Sequence, residues 1–128
     1  MAKVSKETAS EVMAVDGYEG RTQDLGGYTV AYETFTSDQD PAPLFVGLPD
    51  DHCQCPHWGT VVKGALTYRY TDGTSETATA GEAYYARPGH LPLFTAGTET
   101  IEFSPTGGLA ETVAVIGKNL EAMAATEA

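Results

Sequence analysis

Histidine, cysteine and tryptophan are scarce in this chain, at three, two and one among 128 residues. Basic residues are scarce too: 7 Lys and Arg stand against 18 Asp and Glu, for a net charge of −11. A field of that sign repels phosphate backbones and argues against nucleic acid as a partner. No apolar run approaches the roughly 18 residues of a membrane helix. Met1-Ala2-Lys3-Val4-Ser5-Lys6-Glu7 lacks an apolar signal core. The expectation is a cytoplasmic protein without membrane contact. No Ser-His-Asp pattern, phosphate-binding loop or dinucleotide fingerprint occurs. What remains is one domain, 1–128, with 41% hydrophobic residues to build a core.

The pattern along that domain is mostly β. Ser5 to Val15 is expected to be helical, with Ser5 as N-cap and Val12, Met13 and Val15 as its apolar side. Gly17, Gly20, Gly26 and Gly27 then interrupt the chain, so residues 1–26 form an arm. From 27 to 105 the expected elements are short strands. Tyr28, Val30 and Tyr32 alternate with Thr29, Ala31 and Glu33. Leu44 to Leu48 is a short apolar strand, and Thr60 to Tyr70 is the strongest one. Asp72-Gly73 turns a hairpin, Ala83 to Ala86 is brief, and Arg87-Pro88-Gly89 turns again. Leu91 to Phe94 and Glu99 to Ser104 are expected to pair as a hairpin, with Ile101 and Phe103 facing its core. After Pro105 the spacing of Leu109, Val113, Ile116, Leu120 and Met123 predicts a helix and tail over 106–128. Gly117 weakens that helix by about 1 kcal/mol relative to Ala. Seven or eight short strands flanked by two short helices predict an all-β sandwich or small barrel.

The rare residues are not scattered. Both cysteines and two of the three histidines lie in His52-Cys53-Gln54-Cys55-Pro56-His57. On a strand, Cys53, Cys55 and His57 point the same way while His52 points away. His90, in the later Pro88-Gly89-His90 turn, could supply a fourth donor. A disulfide across two residues would be strained, and a reducing compartment favours thiolate ligands. Two thiolates and two imidazoles suit tetrahedral Zn²⁺. Four protein ligands would close the site and make it structural; three would leave a position for water or substrate. The plainer alternative is two inert buried thiols with histidines bonded to backbone. Tyr68, Tyr70, Tyr84, Tyr85 and Phe94 could line a small-molecule cavity or simply fill the core. Glu82 and Arg87 are candidate polar anchors, and Trp58 is core or rim.

Cys53-Gln-Cys-Pro-His57-Trp-Gly-Thr-Val-Val-Lys-Gly64 and Gly81-Glu-Ala-Tyr-Tyr-Ala-Arg-Pro-Gly-His90 resemble the two consecutive motifs of small cupin domains. The resemblance covers about residues 44 to 104. It implies an antiparallel barrel of the double-stranded β-helix or jelly-roll type, commonly a homodimer, with a divalent metal in its mouth. The apolar stripe of the last helix fits such a dimer. The ligands depart from the family pattern. Counting back from Gly64 puts His57 where the family has Glu, and Asp51 and Cys53 on its histidine pair. The second-motif histidine falls on Pro92, two residues after His90. A Cys/His set moves the preference from Fe²⁺ or Mn²⁺ toward Zn²⁺. Asp51, His57 and His90 would instead make a two-His-one-carboxylate Fe²⁺ site of oxygenase type. The functions left open are a metal-dependent enzyme acting on an unidentified small molecule, a binding or sensor module with a structural metal, and a metal-free ligand-binding barrel. Whether the chain is an enzyme stays open at this point.

Overall fold

The computed structural model describes residues 1–127; residue 128, the end of the expected tail, lies outside them. Nine strands form two antiparallel sheets, followed by one long helix. The strands are β1 (Glu11–Val15), β2 (Tyr18–Leu25), β3 (Tyr28–Phe35), β4 (His57–Lys63), β5 (Ala65–Tyr70), β6 (Ser75–Thr79), β7 (Ala83–Ala86), β8 (His90–Phe94) and β9 (Glu99–Pro105). Helix α1 spans Thr106–Glu127. Six strands run in the order β1-β2-β3-β9-β4-β7, and three in the order β6-β5-β8. The sheets face one another across a core of Phe35, Val61, Leu66, Tyr68, Tyr70, Ala86 and Phe94. Phe35 and Phe94 stack with ring centroids 3.7 Å apart. A second cluster of Phe45, Leu48, Cys53 and Cys55 lies under α1, against Leu109, Val115 and Ile116. No helix among the described residues is long and apolar enough to cross a membrane.

Several sequence expectations are corrected. The N-terminal helix does not form: beyond a turn at residues 6–8, Glu11–Val15 is β1. Its turn residues Asp16-Gly17, with Gly17 at φ +82°, close a tight hairpin in which Val15 pairs with Tyr18. Asp-Gly is a strong hairpin signal, and a helix this short gains little without packing. Leu44 to Leu48 is no strand, but a 3-10 turn (Ala42–Phe45) leading to a second one (Pro49–Asp51). Pro41, Pro43 and Pro49 remove the donors that a ladder needs.

Thr60 to Tyr70 is two strands in different sheets, broken at Gly64. Its φ is +78°, and a Cβ there would clash with Thr98 Oγ1 and the Thr98 backbone, so only glycine fits this corner. Strands β8 and β9 do not form a hairpin: β8 pairs with β5, while β9 pairs with β3 and β4. The facing of β9 is inverted as well. Thr100, Glu102 and Ser104 are buried, whereas Phe103 is exposed on the outer face. The interior of the barrel is therefore polar on one wall, which an apolar-inward rule does not anticipate.

Helix α1 is a full 22 residues rather than a short one. It turns Leu109, Thr112, Val115, Ile116 and Asn119 toward the barrel and leaves Val113 and Met123 in solvent. The contact stripe is rotated from the predicted one because polar groups anchor it. Asn119 Nδ2 donates to the carbonyls of Leu44 (2.7 Å) and Val46 (2.9 Å).

Candidate metal centre

The backbone places the rare residues. Cys53 pairs with His90 as an isolated antiparallel bridge: Cys53 N donates to His90 O (2.9 Å), and His90 N to Cys53 O (3.1 Å). The loop from Gln54 to Pro56 leaves ladder geometry, and β4 starts at His57. Pro56 has no N–H to continue the ladder. The donor atoms of Cys53, His57 and His90 thereby converge to within 4.8 Å of one another. All three residues are buried, His90 completely so at 0% exposure. No other group of three such side chains comes together among the described residues.

Each donor has its own support. His90 Nδ1 lies 2.6 Å from Arg87 O. A carbonyl only accepts, so Nδ1 carries the proton and Nε2 is a bare lone pair. That Nε2 is buried and has no hydrogen-bond partner. His57 Nδ1 lies 2.7 Å from Ser104 Oγ and 3.3 Å from Glu102 Oε1, while its Nε2 is 3.7 Å from Cys53 Sγ. A carboxylate beside Nδ1 favours the same tautomer and again frees Nε2. Cys53 Sγ is 3.4 Å from Thr112 Oγ1 on α1, a hydroxyl able to donate to a thiolate.

Burial holds the cluster in the ligating charge state for imidazole. It pushes His57 down to about 4. Burial, followed by the neighbouring His57, does the same for His90, also to about 4. Both rings are neutral at pH 7. Burial raises the Cys53 thiol, partly offset by the Thr112 hydrogen bond, so this thiol is protonated until a cation displaces the proton. Three donors of this kind suit a divalent metal ion, and their spacing can be compared with that of a zinc site. Bond lengths of about 2.3 Å to sulfur and 2.0–2.1 Å to nitrogen put tetrahedral S and N ligands about 3.5 Å apart, close to the Cys53–His57 separation.

The remaining candidates lie elsewhere. Cys55 Sγ is 3.5 Å from Pro56 O, and its side chain packs against Gly108 at the start of α1. Burial pushes its thiol up to about 12. His52 Nδ1 bonds Asp50 O at 2.6 Å within its own turn. The Asp51 carboxylate accepts from Gly47 N (3.0 Å) and is exposed, so the two-His-one-carboxylate set is not assembled. Glu82 caps the turn at Thr79. Arg87 sits 3.6 Å over the Tyr70 ring and pairs with Asp72. Pro92 is buried in β8.

Sequence reasoning missed Glu102, Ser104 and Thr112. Glu102 is the hub of a buried network: its Oε2 accepts from Tyr68 Oη (2.8 Å) and from Tyr84 Oη. Burial raises its carboxyl, and its two tyrosine hydrogen bonds work against that rise. Glu33, on β3, accepts from Tyr18 Oη (2.6 Å). Burial and then Glu102 raise its carboxyl to about 7. The signal was the alternation of Thr100, Glu102 and Ser104, three polar residues on one face of a strand. Tyr68 and Tyr84 also line a cleft of about 350 Å³ between the edges of β6 and β7, whose walls include Tyr70, Tyr85, Glu76 and Glu82. Cys53, His57 and His90 do not line it, but its wall meets them: the Tyr68 ring lies 4.7 Å from that of His90, and Glu102 links Tyr68 and Tyr84 to His57.

No family model and no curated protein matches this chain. Solved structures do. A Rhizobium leguminosarum bv. viciae 3841 protein of unknown function is 20% identical, with 81% of this chain and 95% of that one covered and a TM-score of 0.59. The polyketide cyclase RemF from Streptomyces resistomycificus is 15% identical over 82% and 79%, with a TM-score of 0.56. An oxalate decarboxylase, OxdC from Bacillus subtilis, is 11% identical over 80% of this chain and 28% of its own, with a TM-score of 0.55. Likeness at this level shows a shared fold, and that fold is the antiparallel cupin type expected from the motifs.

Proposed function

We propose that this protein is a metal-binding cupin-fold domain that holds one divalent cation, Zn²⁺, on Cys53 Sγ, His57 Nε2 and His90 Nε2. The observation that carries this reading is the buried, unpartnered Nε2 of His90, whose other ring nitrogen is fixed on Arg87 O. An aromatic or aliphatic residue would fill that volume without leaving a polar atom unsatisfied, so the orphan is costly unless something binds it. Ser104, Glu102, Arg87 O and Thr112 would orient the three donors. A thiolate in the set favours Zn²⁺ over Fe²⁺ or Mn²⁺. Three protein ligands leave one position open, and a bound Zn²⁺ supplies a Lewis acid or an activated water there. The β6–β7 cleft would admit the small molecule. Glu76 and Glu82 in its wall disfavour anions, so a neutral or cationic compound fits best.

A second reading rests on the burial of the three donors and their separation from the cleft. In it the ion is structural and ties the 52–57 loop, β8 and α1 together without turnover. Elemental analysis and Co²⁺ substitution test both. One equivalent of metal is expected, with a thiolate-to-cobalt charge-transfer band lost in Cys53→Ser and kept in Cys55→Ser. A protein that binds no metal, or loses the band only in Cys55→Ser, contradicts the assignment. Exchange of a cobalt-bound water separates the open site from the closed one.

A further inference from the structure

The cleft between the edges of β6 and β7 holds about 350 Å³, at the small end of the roughly 300–1,000 Å³ of ligand pockets. Its lining includes four tyrosines and two glutamates, and no Lys, Arg or His. Tyr68 and Tyr84 spend their hydroxyls on Glu102, so they offer a ligand ring surface rather than a donor. Gly59, paired with Tyr84 across the β4–β7 ladder, has no Cβ to lift that ring off the sheet. The Tyr68 and Tyr84 rings stand 5.8 Å apart at 45° and make a corner. Glu76 pairs with Tyr68 across β5 and β6 and so projects from the same face. Glu82 commits Oε1 alone to its own turn at Thr79.

A carboxylate only accepts hydrogen bonds, and the face of an aromatic ring attracts positive charge. Walls of these two kinds suit a cation better than a neutral compound of the same shape. The molecule supplies its own example at one end of the cleft. The Arg87 guanidinium lies 3.6 Å over the Tyr70 ring and pairs with Asp72 (3.2 Å) and Glu76 (3.7 Å). Arg87 thereby takes one face of Tyr70 and part of the field of Glu76, and leaves Tyr68, Tyr84 and Glu82 to a ligand. Asp72, Glu76 and Glu82 outweigh the one charge of Arg87, so the local field stays negative.

We infer that the cleft binds a small organic ammonium ion, its charged head against the rings of Tyr68 and Tyr84 and beside Glu76 and Glu82. The inference rests on the reading of this cleft as the entry for a small molecule, and it needs no metal. Choline and its uncharged carbon isostere, dimethylbutanol, are the probes. Each is titrated into the full chain, with Zn²⁺ and with a chelator, and read by calorimetry and by the NMR signals of the tyrosine rings. A chain that holds no metal would sink the metal reading and leave the ammonium result readable. Choline should bind at least ~5-fold more tightly than the isostere. Glu76→Gln should weaken choline at least ~3-fold, whereas Arg87→Gln, which removes the competing cation, should tighten it. A purely structural ion pair would move both variants in the same direction. Glu111→Gln removes the same charge from α1, outside the cleft wall, and should leave the affinity unchanged. Equal binding of the two probes, or binding of neither, overturns the inference. So does weaker choline binding in Arg87→Gln, or a loss in Glu111→Gln equal to that in Glu76→Gln.

Discussion

At the residue scale, orientation matters as much as identity. His57 and His90 each commit Nδ1 to a fixed partner, and this turns Nε2 toward the same point. Ser104→Ala or Glu102→Gln should therefore weaken Zn²⁺ binding by about 10–100-fold without removing it, as read by competition against a zinc chelator. Cys53→Ser and His90→Ala should cost more, and Cys55→Ser little. Glu33 gives a separate test, since burial raises its carboxyl to about 7. Folding favours its protonated form, so this stabilisation is complete below the unfolded value near 4.5 and fades as pH rises through 7. Urea unfolding should show a loss on the order of 1–3 kcal/mol between pH 5 and 8 that is reduced in Glu33→Gln. An unchanged slope in that variant would contradict the assignment of the shift to Glu33.

At the scale of elements, the strands from β3 to β9 were readable wherever alternation was backed by turn residues, as in Asp72-Gly73. The readings failed where tertiary context chose between options equally open to a local pattern. The apolar residues of β1 fit a short helix or an edge strand, and the Asp16-Gly17 hairpin decided the matter. Ile101 and Phe103 have the right period for β9 and the wrong face, because the barrel interior holds the polar donors of the site. The cluster itself was visible as a concentration of rare residues, and three of its four proposed ligands converge. Cys55 does not join them, because the loop at Pro56 departs from strand geometry. Helix α1 shows the same limit, since its contact face includes Thr112 and Asn119, which no hydrophobic stripe reveals. Asn119→Ala should cost about 1–2 kcal/mol by leaving the carbonyls of Leu44 and Val46 unbonded. Val113→Ala should stay within about 0.5 kcal/mol. Urea midpoints at constant m-value check both.

At the scale of the whole molecule, the three donors join parts that are distant in sequence: the loop before β4, the start of β8 and, through Thr112, helix α1. A ligand that binds only the folded state stabilises it by mass action, so Zn²⁺ at about 100 times its Kd should add about 2.7 kcal/mol. The melting temperature of His90→Ala should be indifferent to zinc. The most direct test of the proposed centre is an anomalous-difference map at the zinc edge from crystals grown with Zn²⁺. One peak bonded to Cys53 Sγ, His57 Nε2 and His90 Nε2 is predicted. A map without a peak at these atoms, or with the ion held by Cys55, His52 or Asp51 instead, would contradict it.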